Sequence, residues 1–272
     1  MKKGVIALKL LAEQMRFEYH TVRVWLGIGI GLTMFLISVQ QFMEFVKLRG
    51  EPVNLMDCFL YGGVEPQNSM LVVLGYLFLM SNAPFIHERT GQLVMRTSRR
   101  IWGSSCLCYI LVQAMIYYLF IFLFSILISQ EYGYWGSSWS IPLSQTASQE
   151  TIMIFQFQIS FPYWQFMQEY TVIQAAILTY VGNVLYVCVL GMILYVFNLN
   201  NRVSLGTWIA VFVHFSGYIT RKEWNPKWSL QSYASPAENG NIIPLAVIVV
   251  ILGAISFFYV KKMDYCVIER DI

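Results

Sequence analysis

Apolar residues are concentrated in six long stretches of the chain, separated by polar segments. The stretches run over residues 24–45, 69–86, 104–129, 173–197, 203–219 and 242–260. Each is close to, or longer than, the length of about 20 residues that a helix needs to cross roughly 30 Å of hydrocarbon. No polar segment is long enough to fold as a second domain. The pattern therefore predicts an all-α polytopic membrane protein, a single domain over residues 1–272 with six transmembrane helices.

The first residues predict a helix of a different kind. At about 100° per residue, polar and apolar side chains fall on two adjacent stripes. The polar stripe holds Lys2, Lys9, Glu13, Arg16 and His20, and the apolar stripe holds Val5, Leu8, Ala12, Met15 and Tyr19. Such a helix is suited to lie in the headgroup plane. We expect an interfacial amphipathic helix over residues 1–21, with a frayed cytoplasmic tail as the alternative.

Composition and charge agree with a membrane protein and give it an orientation. Hydrophobic residues make up 57% of the chain and charged residues 12%, about half the charged share of a soluble domain. Of the 18 Lys and Arg residues, 13 fall in segments on the same side as the N-terminus. Because Lys and Arg are retained in the cytoplasm, we expect both termini there and the chain in the cytoplasmic (inner or plasma) membrane. The net charge of +3 then follows from topology and does not indicate nucleic-acid binding.

The connection between the third and fourth spans is unusual in composition. Residues 130–170 contain no Lys or Arg and many aromatic side chains. These features predict a translocated segment that is ordered against the outer leaflet. Within it, residues 151–161 are expected to form a strand-like or re-entrant piece. Tyr163 and Trp164 are expected in an ordered lid over the outer end of the bundle, or in an aromatic belt that only anchors the protein.

Side chains that carry catalysis or bind metals are not grouped in the sequence. His20, His87 and His214 lie in separate segments, without a His-Glu-x-x-His or Gly-x-Ser-x-Gly motif. His214, in the fifth predicted span, is expected to bond between helices rather than to act as a ligand or proton carrier. The phosphate-binding loop Gly-x-x-x-x-Gly-Lys-[Ser/Thr] is also absent, so we do not expect the chain itself to bind ATP. We therefore predict no catalytic, cofactor-binding or metal-binding residues and no enzymatic activity in this chain.

Polar and small residues inside the predicted spans indicate how the helices pack. Gln113, Gln174 and Asn183 are expected to face other helices, because an amide turned to lipid loses its hydrogen bonds. Gly27 and Gly31 have the spacing that lets two helices approach closely. No acidic residue lies clearly at mid-membrane, which argues against an ion-coupled carrier.

Residues 87–100 are the most charged stretch of the chain, and they belong to a segment, residues 87–103, that is expected on the cytoplasmic side between the second and third spans. Thr97 and Ser98 are expected to cap a helix that continues into the third span. Residues 90–96 are expected to form a short helix presented to the cytoplasm. A generic basic loop that obeys the positive-inside rule is the alternative.

Two local runs of sequence are distinctive. One covers residues 85–91 and includes Glu88, Arg89 and Gly91, and the other covers residues 98–103. Together with the layout of an N-terminal amphipathic helix and six spans, they resemble the permease subunits of type-2 ATP-binding-cassette (ABC) transporters. The first run resembles the entry to the coupling helix of that family, and the second resembles the run that leads into its third span.

The resemblance implies a subunit that moves a substrate across the membrane, with export favoured, using ATP hydrolysed by separate subunits. It implies coupling to the ATPase for six residues: Glu88, Arg89, Gly91, Arg96, Arg99 and Arg100. The implied partners are cytoplasmic ATP-binding subunits, which hold ATP and Mg²⁺, a second permease subunit, identical or related, and membrane lipid. Substrate identity and direction are left open. The alternatives are a non-enzymatic membrane sensor or assembly protein that binds a ligand through its outer segment, and a membrane-embedded enzyme.

Overall fold

The computed structural model describes residues 2–81, 97–148, 157, 159, 161–200, 202–238 and 241–262. Its α-helices are α1 (Lys2–Tyr19), α2 (Val22–Arg49), α3 (Asp57–Val64), α4 (Pro66–Met80), α5 (Arg99–Ser129), α6 (Ile141–Ser148), α7 (Trp164–Glu169), α8 (Val172–Leu199), α9 (Val203–Ile219) and α10 (Ile243–Lys262). Two short strands are also formed, β1 (Val53–Asn54) and β2 (Gly133–Tyr134). After α9 come a π-helical turn, Thr220–Trp224, and two 3₁₀ turns, Pro226–Trp228 and Gln231–Ala234.

Within the described residues, four helices are long and apolar enough to cross a bilayer: α2, α5, α8 and α10. They match the first, third, fourth and sixth stretches predicted from the sequence. The chain is therefore an all-α membrane-embedded protein. The apolar helix α4 is shorter, and residues 82–86 of the second predicted span lie outside the described residues. Helix α9 has 17 residues and the bounds of the fifth predicted span.

Helix α8 lies at the centre of the bundle, where it packs against α5, α9 and α10 and also contacts α3 and α4. Thr171 starts it with a capping box, in which Thr171 and Gln174 bond each other's backbone N–H groups. Most of α8 is then buried among its neighbours, because it is hydrophobic on every side.

Helices α2 and α4 cross in close contact, and glycines make this approach possible. A Cβ atom at Gly75 of α4 would lie 2.6 Å from the carbonyl oxygen of Gly27 and 2.6 Å from the backbone nitrogen of Gly31. The hydroxyl of Tyr117 from α5 fills the space beside Gly31 and Gly75 and donates to the carbonyl oxygen of Val72. The predicted role of Gly27 and Gly31 in close helix packing is confirmed.

Helix α1 forms where the sequence predicts an N-terminal helix, and it packs against α5. Leu10 and Glu18 are buried, and Gln14 is half-buried. The predicted polar stripe is exposed at Lys9, Glu13, Arg16 and His20. Val5 and Leu8 of the apolar stripe are 52% and 64% exposed, whereas Met15 and Tyr19 pack against the core. The apolar stripe is therefore used for packing within the chain only in the second half of α1.

The connection between α5 and α8 forms three short elements in its described part. β2 pairs in parallel with β1, which places Val53 opposite Gly133 and Asn54 opposite Tyr134. Helices α6 and α7 follow, and they contact each other. The predicted strand-like piece, residues 151–161, lies largely outside the described residues.

Candidate functional site

Four of the six predicted coupling residues lie outside the described residues: Glu88, Arg89, Gly91 and Arg96. The other two, Arg99 and Arg100, form the first turn of α5. The guanidinium of Arg99 donates to the carbonyl oxygen of Lys261 near the end of α10 (3.1 Å), whereas Arg100 is exposed. The start of one spanning helix is thus tied to the end of another.

The N-terminal part of α5 is also fixed by a cap and by α1. The hydroxyl of Ser98 accepts a hydrogen bond from the backbone N–H of Ile101 (3.4 Å), which confirms the predicted cap. Gln14 of α1 accepts from the hydroxyl of Ser105 (3.0 Å), and its amide nitrogen lies 3.4 Å from the sulfur of Cys106. Helix α1, the start of α5 and the end of α10 therefore share one end of the bundle. We call it the inner end, after the cytoplasmic side on which the sequence predicts it.

A buried ion pair holds the corner between α1 and α2. The carboxylate of Glu18 is only 1% exposed and lies 2.6 Å from the guanidinium of Arg23. Burial raises the pKa of Glu18, and the charge of Arg23 opposes this rise. The indole of Trp25 donates to the carbonyl oxygen of Tyr19 (3.0 Å), and the two rings meet edge to face. These contacts therefore fix the angle between α1 and α2.

Polar side chains in the middle of the bundle bond to neighbouring helices. The hydroxyl of Tyr186 lies 2.9 Å from Nδ1 of His214, and Nε2 of His214 lies 3.0 Å from the carbonyl oxygen of Met70. The amide of Asn183 donates to the carbonyl oxygen of Gly63 (3.3 Å). The predictions that His214 bonds between helices and that Asn183 faces another helix are confirmed.

The two glutamines of the predicted spans differ. Gln113 is fully buried, as expected for an amide turned to other helices. Gln174 is exposed, so the prediction for it was wrong. Its side chain accepts from the backbone N–H of Thr171 (3.1 Å), because the first N–H groups of a helix have no partner inside the helix.

Asn54 organises the opposite end of the bundle, which we call the outer end. Its amide nitrogen donates to the carbonyl oxygens of Gly136 (2.9 Å) and Ser138 (3.0 Å). Its side-chain oxygen accepts from the backbone N–H of Met56 (3.1 Å). One side chain thus joins the start of α3 to the chain that follows β2.

Asp57, at the start of α3, is fully buried beside Asn54. Its carboxylate accepts from the backbone N–H of Asn54 (3.1 Å). Burial raises the pKa of Asp57 to about 7, and hydrogen bonds from Ser140 and Asn54 oppose this rise. The carboxyl group therefore changes its charge near neutral pH rather than in acid.

A second polar cluster at the outer end is built around Arg221, whose side chain is only 1% exposed. Its Nε lies 2.7 Å from Oε2 of Glu238, and its Nη2 donates to the carbonyl oxygen of Val64 (2.7 Å). The hydroxyl of Tyr163 donates to Oε1 of Glu238 (3.2 Å). Burial raises the pKa of the nearby Glu65, and the charge of Arg221 opposes this rise. The cluster joins four separate segments of the chain.

The two residues predicted for an outer lid have different surroundings. Tyr163 bonds to Glu238, and its ring packs edge to face on that of Phe161, with centroids 5.2 Å apart. Trp164 is 47% exposed. Only Tyr163 belongs to the outer polar cluster.

Sequence reasoning missed Arg221, Glu238, Asn54 and Asp57. The one signal for Arg221 was its position outside the predicted cytoplasmic segments, where the positive-inside rule gives no reason for a basic residue. Nothing in the local sequence indicated its partners, because Val64 lies 157 residues away.

Comparison with known proteins does not define the chemistry of the chain. In the described part of the chain, no three His, Cys, Asp or Glu residues are grouped so that they could hold a metal ion. No family model, curated protein or solved structure matches the sequence or the fold. The function is therefore argued from the residues and contacts alone.

Proposed function

We propose that the chain is the permease subunit of an ATP-driven transporter of the type-2 ABC kind, with ATP hydrolysed by separate cytoplasmic subunits. The carrying observation is the set of contacts at the inner end. Gln14 fastens α1 to α5, and Arg99 fastens the first turn of α5 to α10. Residues 87–98 lead directly into this junction, so a force applied to them would reach three helices at once.

Six crossings fit the lengths of the helical elements. Helix α9 continues without interruption into the π-helical turn that ends at Trp224, and at about 1.5 Å per residue this rod is roughly 30 Å long. Helix α4 has 15 residues, and the sequence stays apolar through residue 86. With six crossings, both termini lie on the same side of the membrane, and the distribution of Lys and Arg favours the cytoplasm.

In this proposal the permease pairs with a second permease, identical or related, and with two ATP-binding subunits that hold ATP and Mg²⁺. Closure of the ATP-binding subunits would pull on residues 87–103 and on α1. The spanning helices would then tilt as rigid bodies between inward-open and outward-open arrangements. Export is the favoured direction, by the family resemblance.

Copurification with an ATPase is the test of this proposal. The tagged chain should retain an ATP-binding subunit from its own cell and stimulate ATP hydrolysis by it. Replacement of Glu88 with Ala, or of Gly91 with Leu, should leave membrane insertion intact and reduce transport per ATP hydrolysed. The exposed outer residue Glu169, changed to Ala, is the control. Unchanged ATP-driven transport by both inner variants would contradict the coupling role, and absence of any ATPase would favour the sensor or assembly protein.

Single cysteines test the orientation in intact cells. Ser137 and Ser98 are both exposed, so a difference in labelling reports the side of the membrane rather than burial. A cysteine at position 137 should react with an impermeant thiol reagent, and one at position 98 should not. The reverse pattern would invert the topology.

A further inference from the structure

After α9 the chain does not run along the surface but turns back into the bundle. Trp224 and Trp228 are 76% and 74% exposed. From Ser229 onward the chain is again largely buried, with Gln231, Ser232 and Ser235 at most 2% exposed. We call residues 229–238 the outer plug.

The outer plug is seated between three membrane helices. Gln231 donates from its amide to the hydroxyl of Ser69 in α4 (2.9 Å). The hydroxyl of Ser229 donates to the carbonyl oxygen of Gly217 in α9 (2.6 Å). On α8, the absence of a side chain at Gly182 makes room for the carbonyl of Ala234. The outer plug thus fills the space where α4, α8 and α9 come together at the outer end.

The outer plug is fastened at its last residue. The carboxylate of Glu238 accepts hydrogen bonds from Arg221, which follows α9, and from Tyr163, which precedes α7. Arg221 in turn bonds to the carbonyl oxygen of Val64, the last residue of α3, and the hydroxyl of Ser235 lies 3.5 Å from the same oxygen. Among the Lys and Arg side chains whose burial the structure describes, only Arg221 is buried.

The composition of the outer plug lowers the free-energy cost of moving it out of the bundle, compared with the cost of moving a helix. Its buried side chains are mainly hydroxyls and amides, which regain hydrogen bonds when they enter water. The apolar faces of α4, α8 and α9 have no such compensation, and separating them exposes hydrocarbon. The outer end therefore opens at the smallest cost in free energy if the outer plug moves and the helices stay packed.

We propose that the outer plug is the outer gate of the permease and that the Arg221–Glu238 pair is the latch that keeps it closed. This inference rests on the proposed function. During transport the latch releases, and residues 229–238 move away from α9 and α4, which opens the outer end. Tyr163 acts on the same latch through its hydrogen bond to Glu238.

A disulfide across the gate tests the movement. A Cβ atom at Gly217 would lie 3.9 Å from the Cβ atom of Gln231, within the range of disulfide geometry. The double variant Gly217→Cys, Gln231→Cys, in complex with its ATPase, should lose transport when oxidised and recover it on reduction. Each single variant is the control. Full transport by the oxidised complex would overturn the gate and leave the proposed function standing.

Labelling tests the latch without any transport assay. In a Gln231→Cys background, Glu238→Gln should raise the rate of reaction with an impermeant thiol reagent by about tenfold, because a charged hydrogen-bonded pair is lost. The native thiol of Cys58, also fully buried, should stay unreactive, which excludes general unfolding. An unchanged rate at position 231 would overturn the latch, whether or not the chain partners an ATPase.

Discussion

The two ends of the bundle are closed in different ways. At the inner end, whole helices meet: α1 lies on α5, and α5 is tied to α10 through Arg99. At the outer end, short strands, 3₁₀ turns and the outer plug fill the space between helix ends, and side chains such as Asn54 and Arg221 hold them together.

The reason for this difference is the break between α3 and α4. Every helix end leaves backbone groups without partners, and the break adds two more ends beside Glu65 and Pro66. Side chains from distant segments supply missing partners, as Arg221 does for the carbonyl oxygen of Val64 at the end of α3. The outer end therefore depends on a few polar residues, and the inner end depends more on helix packing.

The largest effect is expected from Asn54, because its side chain makes three hydrogen bonds across the outer end. Asn54→Ala should lower the free energy of unfolding in detergent by about 3–4 kcal/mol, at about 1 kcal/mol for each bond and more for the buried groups left unpaired. Asn200→Ala, at an exposed helix end, should cost less than about 1 kcal/mol. Equal losses in thermal unfolding would contradict the role of Asn54 in the outer end.

Asp57 should make the stability of the outer end depend on pH. Its pKa is about 7 in the folded protein and about 3.9 when unfolded. The folded state therefore holds the proton more strongly, so the stabilisation is complete below about pH 4 and is lost progressively as the pH rises to about 7. Between pH 5 and 8 we expect a loss of about 2–3 kcal/mol, because the decrease of about 1.4 kcal/mol per pH unit ends near pH 7.

Asp57→Asn keeps the shape of the side chain and cannot ionise. Its unfolding temperature should be nearly constant between pH 5 and 8 and should exceed that of the unmodified chain at pH 8. Parallel pH profiles for the two proteins would show that Asp57 is not the group responsible.

A smaller effect on the free energy of unfolding is expected at the two residues predicted for the lid, Tyr163 and Trp164, which differ in how deeply they are buried. Tyr163→Ala removes a half-buried ring and the hydrogen bond to Glu238, and should cost about 2 kcal/mol. Trp164→Ala should cost less than about 1 kcal/mol, since half of this side chain is already exposed. If Trp164→Ala is the more damaging change, the aromatic residues act as a membrane anchor and not as part of the outer cluster.

The smallest effect is expected at the inner end. Gln14→Leu removes the bonds to Ser105 and Cys106 but keeps most of the packing of α1 on α5, and should cost about 1 kcal/mol. Its clearer effect should be on coupling, measured as transport per ATP hydrolysed. Glu13→Leu, at the exposed neighbouring position, is the control, and equal coupling in the two variants would count against a role for this contact.

Much of the fold was predictable from the sequence because the bilayer imposes strong constraints on composition. Long apolar stretches gave the positions of α2, α5, α8 and α10, and the spacing of Gly27 and Gly31 gave the site of a close helix crossing. The helix cap at Ser98 could also be predicted from the sequence, because capping involves residues only three positions apart. The coupling role predicted for residues 87–103 rests on the sequence resemblance, and residues 87–96 of this segment lie outside the described residues.

The sequence by itself determined that α2, α5, α8 and α10 are long and apolar enough to cross a membrane and that His214 and Asn183 face other helices. These properties follow from local hydrophobicity and from the cost of an unpaired polar group in lipid. Only the tertiary structure decided that residues 229–238 return into the bundle and that Arg221 meets Glu238 and Val64. Those contacts join residues up to 171 positions apart. The side chains of Arg221 and Ser235 bond to a backbone group that the folded helices leave without a partner. Which groups are left in this way depends on the packing of distant segments, so no local sequence pattern predicts them.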